Sequence, residues 1–82
     1  MTKKAAFGDP LTPKQAEFVR YIKSHIREQG WPPTCVEIAN HFGWASENAS
    51  HEYIRLIEAK GYISRVRGIS RGLRINPLAE SV

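Results

Sequence analysis

Two capping boxes, each followed by a glycine, divide the first half of this 82-residue chain into two helices of defined length. In a capping box, a Ser or Thr hydroxyl accepts from a free backbone N–H of the first helical turn, and the Glu or Gln three residues later accepts from the cap residue. A glycine can then end the helix in a left-handed conformation. The boxes are Thr12 to Gln15 and Thr34 to Glu37, and the glycines are Gly30 and Gly43.

Apolar residues recur at the spacing of an amphipathic helix in both segments and again after Ser46. We expect Ser46 to cap a third helix, which runs to about Lys60 and stops at Gly61. The expected core positions are Phe18, Val19, Ile22 and Ile26, then Val36, Ile38, Ala39 and Phe42, then Ala49, Tyr53, Leu56 and Ile57.

After Gly61 the pattern changes to two short runs of β-forming residues, 62–66 and 72–75, joined by a glycine-containing turn at 67–71. Three helices and a hairpin in this order predict an α+β, mainly α, fold: a three-helix winged helix-turn-helix with a C-terminal two-stranded β-hairpin wing. The expected boundaries are a flexible N-terminal arm at 1–10, the domain at 11–77 and a C-terminal tail at 78–82.

The charge and the cysteine content narrow the cellular setting and the class of partner. A formal charge of +4 favours a polyanionic partner such as nucleic acid. The single cysteine cannot form an internal disulfide. No apolar run approaches the roughly 20 residues of a membrane span, and no apolar signal-peptide core follows the basic N-terminus. We therefore expect a cytoplasmic protein without a membrane partner.

The connection at 42–45 is short and contains a glycine, as is typical of the two helices of a helix-turn-helix. In that motif the N-terminal turns of the second helix lie in the major groove of double-stranded DNA. Here this end carries Ser46 and Asn48, which can form hydrogen bonds, and asparagine can pair bidentately with adenine. Ala49 can contact a thymine methyl group, and Glu52 can accept from a cytosine amino group. The third helix is therefore predicted to contact bases.

The hairpin supplies positive charge, because four arginines and no acidic residue lie between Tyr62 and Asn76. Arginines on such a wing can bind phosphates or enter the minor groove. We expect Arg71→Ala to weaken binding to all sequences alike. The predicted contacts to the DNA backbone or through the wing are Thr34, Arg55, Arg65, Arg67, Ser70, Arg71 and Arg74.

Several of these motifs together resemble the DNA-binding domain of the LexA family of bacterial SOS repressors. The similarity covers about 11–77 and is carried by Trp31-Pro32-Pro33-Thr34 with Glu37-Ile38-Ala39, Ser46-Glu47-Asn48-Ala49, Lys60-Gly61 and Ser70-Arg71-Gly72-Leu73-Arg74. It implies recognition of short CTGT-type half-sites. The base contacts that it implies are Ser46, Asn48, Ala49, His51 and Glu52.

Two departures from the family pattern change what the resemblance implies. The family usually has glutamate where this chain has His51, so the preferred base step is expected to differ. The chain also has no residues for the serine-lysine self-cleaving domain that follows in LexA and dimerises it. A chain with only the DNA-binding domain would suit a phage or mobile-element regulator, or be a fragment. A homodimer on DNA would then need another interface, for which Phe7, Tyr62 and Ile69 are candidates.

Metal binding and catalysis are predicted to be absent. The potential ligands do not show the close-paired spacing of a zinc site; they are His25, Cys35, His41 and His51. We expect no metal, no cofactor and no catalytic residue. Cys35 lies near a helix N-terminus, a location that lowers the pKa of a thiol. Trp31 and Trp44 flank turns and are expected to cover the core, with stacking on single-stranded bases as the alternative.

The function predicted from these features is a sequence-specific transcriptional regulator that acts as a repressor. Two other function classes remain open. A winged helix can serve as a protein-interaction adaptor, in replication or as an antagonist of a repressor, with a partner that the sequence does not identify. A non-specific DNA-coating protein would show a large salt dependence and no sequence preference.

Overall fold

The computed structural model describes residues 6–82 and contains three helices followed by a two-stranded sheet. The helices are α1 (Pro13–Gln29), α2 (Cys35–Phe42) and α3 (Asn48–Ala59), and the strands are β1 (Ile63–Arg65) and β2 (Leu73–Ile75). A short 3-10 helix, Pro77–Ser81, follows β2. The mainly helical winged helix-turn-helix fold predicted from the sequence is confirmed.

Both predicted capping boxes are present. The Thr12 hydroxyl accepts from the Gln15 backbone N–H at 3.2 Å, and the Gln15 side chain accepts from the Thr12 N–H at 3.1 Å. The equivalent two bonds join Thr34 and Glu37 at the start of α2. Gly30 ends α1 with a φ of 85°, which a residue with a Cβ adopts only under strain. The limits of these helices therefore follow from local chemistry.

The start of α3 differs from the prediction. The N-cap residue is Glu47, whose side chain forms no capping bond, and not Ser46. Ser46 lies one residue earlier in a turn, where its hydroxyl accepts from the Asn48 N–H at 3.3 Å. A serine can form this local bond from a turn position as well as from a cap. Ser46 therefore still satisfies one of the free N–H groups at the start of the helix.

The core lies between the three helices and the inner face of the sheet. Val36 and Leu56 were predicted as core residues, but they are 54% and 37% exposed, and these two predictions are wrong. Ile38, which was also predicted, lies two positions after Val36 and is buried; Ile54, which was not predicted, lies two positions before Leu56 and is buried. Positions two apart on an α-helix point to nearly opposite sides, so only one member of each pair can face the core. The core predictions confirmed as buried are Phe18, Val19, Ile22, Ile38, Ala39 and Ile57.

An aromatic cluster joins α1 to the connection between α2 and α3. Phe18 is fully buried, and its ring centroid lies 6.0, 6.3 and 5.2 Å from those of Phe42, Trp44 and Tyr53. The Phe42 and Trp44 rings also stack on each other at 4.9 Å. Trp44 thus packs against the core as predicted. Trp31 does not, because half of its surface is exposed.

The strands β1 and β2 pair antiparallel and belong to the wing, defined here as residues 62–76. Ile63 and Leu73, one from each strand, are buried and join the core. Gly72 has no space for a side chain, because a Cβ at this position would collide with the backbone carbonyl of Val66. Ile63 and Leu73 therefore attach the wing to the helices, and the contact of Gly72 with Val66 packs its two strands closely together.

The three candidates for self-association differ in their accessibility. Tyr62 is only 9% exposed and packs in the core, so its prediction as a surface contact is wrong. The turn after α3 causes this burial, because the Tyr62 N–H donates back to the Ile57 carbonyl at 3.3 Å and draws the residue inward. Phe7 and Ile69 are 80% and 59% exposed.

The segment before α1 contacts the end of α3. The Gly8 N–H donates to the Lys60 carbonyl at 2.8 Å, and the Lys60 ammonium donates to the Pro10 carbonyl at 3.0 Å. Residues 1–5 of the predicted arm lie outside the described residues. The part of the arm next to α1 is therefore bonded to the domain.

The segment after β2 packs on α1. Ala79 is fully buried, and the Lys23 ammonium donates to the carbonyl groups of Ala79 and Val82 at 3.0 and 2.9 Å. Residues of the predicted tail thus contribute to the core. None of the helices formed by residues 6–82 has the length and apolar character that crossing a bilayer requires.

Candidate nucleic-acid interface

The helix-turn-helix consists of α2, the connection at 43–47 and α3. The two helices are joined by Ser50, which is fully buried and donates its hydroxyl to the Cys35 carbonyl at 2.9 Å. This bond links the first turn of α3 to the first residue of α2. The small serine side chain lets the two helices approach closely, and its hydrogen bond favours one orientation of α3 relative to α2.

The predicted base contacts lie together at the N-terminal end of α3. Ser46, Asn48 and Glu52 are exposed, and Ala49 and His51 are partly buried. Asn48 is the first residue of α3. Its backbone N–H is bonded to Ser46, but no side chain or backbone group within residues 6–82 bonds its amide. Both the donor and the acceptor of this amide are therefore available to a ligand.

His51 is oriented by groups from two neighbouring elements. Its Nδ1 atom lies 3.4 Å from a guanidinium nitrogen of Arg65 and 3.7 Å from the Sγ atom of Cys35. A guanidinium can only donate, so the contact with Arg65 favours the tautomer in which Nδ1 accepts and Nε2 carries the proton. His51 therefore offers an N–H donor to a ligand beside α3, where Glu52 offers an acceptor.

The thiol of Cys35 does not have the acidity that its position predicted. Burial raises the pKa of this thiol and outweighs the opposing effect of the Arg65 charge. The prediction of a lowered pKa at the helix N-terminus is therefore wrong, because loss of hydration disfavours the thiolate. Across residues 6–82, no three His, Cys, Asp or Glu side chains converge in a way that could hold a metal ion.

A cleft of about 560 Å³ lies between α3 and the wing. Its walls carry the cations Arg55, Arg65 and Arg67 and the anions Glu52 and Glu58. Arg55 donates to the Glu52 carboxylate at 2.8 Å, and both side chains are more than half exposed. So exposed an ion pair adds little to stability. Arg55 and Glu52 can therefore exchange this partner for phosphate or base groups at low cost.

The N-terminus of α2 offers a second place for a phosphate. Backbone N–H groups of the first helical turn lack intrahelical partners, and the helix dipole favours an anion there. Thr34, the N-cap, accepts from the Glu37 N–H at 3.2 Å and can still donate its own hydroxyl proton. Thr34 can therefore cap α2 and donate to a DNA phosphate at the same time.

The four wing arginines have different surroundings. Arg67 and Arg74 are exposed, and neither side chain forms a hydrogen bond or ion pair with another described residue. Arg65 contacts His51, and its backbone N–H donates to the Glu58 carboxylate at 3.2 Å, which joins β1 to α3. The remaining arginine contacts α2. Two of the four cations therefore link the wing to the helices.

Arg71 forms the contact to α2. Its Nη1 atom donates to the Pro32 carbonyl at 2.9 Å and to Glu37 Oε1 at 2.8 Å, and its Nη2 atom donates to Glu37 Oε2 at 2.9 Å. Its guanidinium carbon lies 5.8 Å from the ring centroid of Trp31, within cation–π range. The bond from Arg71, with a further one from the Thr34 backbone, lowers the pKa of Glu37 from 4.5 to about 2. Glu37 is therefore ionised throughout the neutral range.

The role of Glu37 in this contact was missed by reasoning from the sequence, which assigned Glu37 to a capping box and Arg71 to DNA. The two residues are 34 positions apart, and no periodic pattern relates them. An acidic residue next to a predicted DNA-binding surface was the only signal in the sequence for an internal partner of a wing cation.

Comparison with known proteins gives one family match and several related repressors. The model of the LexA DNA binding domain matches residues 8–72. The LexA repressor of Shewanella frigidimarina is 48% identical over 73 residues, which cover 89% of this chain and 35% of that protein. For the LexA repressor of Glaesserella parasuis the identity is 46% over 65 residues, with 79% and 31% covered. For that of Aeromonas hydrophila it is 44% over 77 residues, with 88% and 37% covered. The chain thus spans about a third of the length of these curated relatives.

Proposed function

The chain belongs to the LexA DNA-binding domain family, and from this membership we infer that it is a transcriptional repressor that binds specific sites on double-stranded DNA. The N-terminal end of α3 enters the major groove, and the wing lies over the sugar-phosphate backbone or in the minor groove. Repression results from occlusion, because a protein bound at a promoter blocks the access of other proteins to it.

The observation that carries this proposal is the exposed N-terminal end of α3 with the unpartnered amide of Asn48. The cations of the cleft and the wing flank this end, where phosphates would lie on either side of the contacted bases. The proposed base contacts are Ser46, Asn48, Ala49, His51 and Glu52. The proposed backbone contacts are Thr34, Arg55, Arg65, Arg67, Ser70 and Arg74.

We also propose that two copies of the chain bind one site. A single domain that places one short helix in one groove covers few base pairs, and palindromic sites match proteins with two-fold symmetry. Phe7 and Ile69 are the exposed apolar side chains that this pairing could use.

The direct test is a binding titration with two duplexes at the same salt concentration. One duplex contains two CTGT-type half-sites, and the other has the same bases in scrambled order. We expect at least about a tenfold preference for the first duplex, the equivalent of roughly one good base contact. Equal affinities with a steep salt dependence would indicate a DNA-coating protein instead. Weak affinity for both would favour an adaptor. Native mass spectrometry of the complex reports the number of copies bound.

The donor on His51 leads to a prediction about base preference. An Nε2–H group can donate to guanine N7 or O6 or to thymine O4, but it cannot accept from a cytosine amino group. His51→Glu exchanges this donor for an acceptor. We expect the substitution to move the preferred base at one position of each half-site, with a change of about tenfold in relative affinity there.

Selection of bound sites from random duplexes, performed in parallel with both proteins, measures this change. Asn40→Glu, which adds the same charge at an exposed position of α2 outside the predicted contacts, serves as the matched control. Identical site preferences for the wild type and His51→Glu would contradict a base contact by His51, without affecting the DNA-binding function itself.

A further inference from the structure

Arg71 differs from the other wing cations in the number of its internal partners. Two acceptors, the Pro32 carbonyl and one Glu37 oxygen, engage its Nη1 atom, and the second Glu37 oxygen engages Nη2. The indole of Trp31 lies near one face of the guanidinium. Bidentate pairing of this kind fixes the plane of the guanidinium as well as its position. Three of the five N–H groups of the guanidinium are thereby engaged, among them both groups on Nη1.

The charge of Glu37 also argues against a phosphate contact at this place. The carboxylate and the guanidinium lie within 2.8 Å and together carry no net charge. A phosphate that approached Arg71 would also approach the ionised Glu37 and be repelled by it. The attraction between Arg71 and DNA is therefore largely cancelled as long as the pair is intact.

The backbone that carries Arg71 has little freedom. The next residue, Gly72, is buried, and a Cβ on it would collide with the Val66 carbonyl. Across the turn, the Val66 N–H donates to the Gly72 carbonyl at 2.9 Å. The position of the Arg71 side chain is thus coupled, through Gly72 and Val66, to both ends of the turn in the wing.

The two strands of the wing are tied to different helices. The Arg65 N–H, on β1, donates to Glu58 of α3, whereas Arg71, next to β2, is bound to Glu37 of α2. Glu37 is also the capping-box residue of α2, since its Oε1 atom accepts from the Thr34 N–H at 2.9 Å. One carboxylate therefore joins the wing to the N-terminus of α2.

We propose that Arg71 is a positioning residue: together with Glu37 it holds the wing at a fixed angle to the helix-turn-helix and does not itself bind phosphate. The N-terminus of α2, the exposed end of α3 and Arg67 on the wing then meet one duplex in a single orientation. This proposal rests on the DNA-binding function proposed above. It replaces the direct backbone contact that the sequence predicted for Arg71.

Glu37→Gln distinguishes a phosphate-binding role of Arg71 from a positioning role, because the two predict opposite changes in DNA affinity. Glutamine keeps the capping acceptor for the Thr34 N–H but removes the charge that holds Arg71. If Arg71 bound phosphate in the complex, loss of its competing carboxylate would strengthen binding. A positioning role predicts weaker binding, by about tenfold, since a charge-assisted bidentate contact is lost. Glu17→Gln, an exposed change of the same charge on α1, is the matched control.

Substitutions of Arg71 add an independent readout. Lysine keeps the positive charge but cannot bind both carboxylate oxygens in a fork. We expect Arg71→Lys to bind DNA as weakly as Arg71→Ala, and Arg71→Ala to leave the salt dependence unchanged. A phosphate contact would instead make Arg71→Lys resemble the wild type, and Arg71→Ala would lower the slope of log affinity against log salt by about 0.9.

The affinities are measured on the CTGT-type and scrambled duplexes at a temperature where circular dichroism shows each variant fully folded. Glu37→Gln binding at least threefold more weakly than Glu17→Gln, with an unchanged salt slope for Arg71→Ala, supports the positioning role. Any smaller loss or a gain of affinity for Glu37→Gln overturns it, and so does a reduced slope for Arg71→Ala. Failure of the proposed function would appear differently, as a wild-type protein without preference between the duplexes.

Discussion

Asn48→Ala is expected to reduce the preference for a CTGT-type duplex over a scrambled one by about tenfold to a hundredfold, because a bidentate base contact carries roughly 1–3 kcal/mol of discrimination. Asn48 is exposed at the first position of α3, and its side-chain amide has no partner in the described part of the chain. Alanine is a strong helix former, so the substitution should leave the fold intact. The measurement is the ratio of the two affinities at one salt concentration.

Arg67→Ala provides the contrast for this experiment. Arg67 is exposed on the wing and has no ion-pair partner among residues 6–82. Its loss should weaken binding to both duplexes by the same factor and lower the salt slope by about 0.9. If Asn48→Ala behaved like Arg67→Ala and preserved the ratio of affinities, Asn48 would not contact a base.

Phe18→Ala is expected to destabilise the domain by about 3–5 kcal/mol, the usual cost of deleting a large buried aromatic side chain. Phe18 is fully buried, and its ring contacts those of Phe42, Trp44 and Tyr53. Small domains have a total stability of about 5–15 kcal/mol. The substitution therefore removes a large part of the free energy of unfolding. It also loosens the packing of α1 against the connection that orients α3.

Urea unfolding followed by circular dichroism gives the free energy of unfolding of the wild type and of Phe18→Ala. Arg20→Ala, an exposed change on the same helix, is the control and should shift the stability by no more than about 0.5 kcal/mol. A loss below about 1.5 kcal/mol for Phe18→Ala would mean that the aromatic cluster is not a main source of stability.

The parts of the fold that depend on neighbouring residues could be predicted from the sequence. A capping box needs two side chains three positions apart, and a glycine stop needs one residue. The limits of α1 and α2 were therefore correct. The predicted cap of α3 was wrong, because Ser46 bonds the Asn48 N–H from a turn position. That choice depends on backbone geometry rather than on residue type.

The parts that depend on tertiary contact could not be predicted. On α3, the apolar pattern favoured Leu56, but the residues buried in the structure include Ser50, which bonds to Cys35 of α2, and Ile54. Serine is polar, so the hydrophobic pattern of the sequence does not mark it as buried. Its burial follows from the close approach of two helices. The residue types at the candidate interface were recognisable, but the contact between Arg71 and Glu37 joins segments 34 positions apart. The positive charge of Arg71 alone does not indicate whether it binds a carboxylate of the same chain or a DNA phosphate.

The hydroxyl of Ser50, bonded to the Cys35 carbonyl inside the monomer, also limits how the domain can adapt to different operators. This bond resists a swing of α3 relative to α2, so any mismatch between the domain and its half-site that the helices do not take up falls on the nucleic acid. Bending or narrowing of a groove costs free energy that depends on the base-pair steps involved. Half-sites with pliable pyrimidine–purine steps would then be occupied at lower protein concentration than stiffer ones, even where no side chain touches those steps.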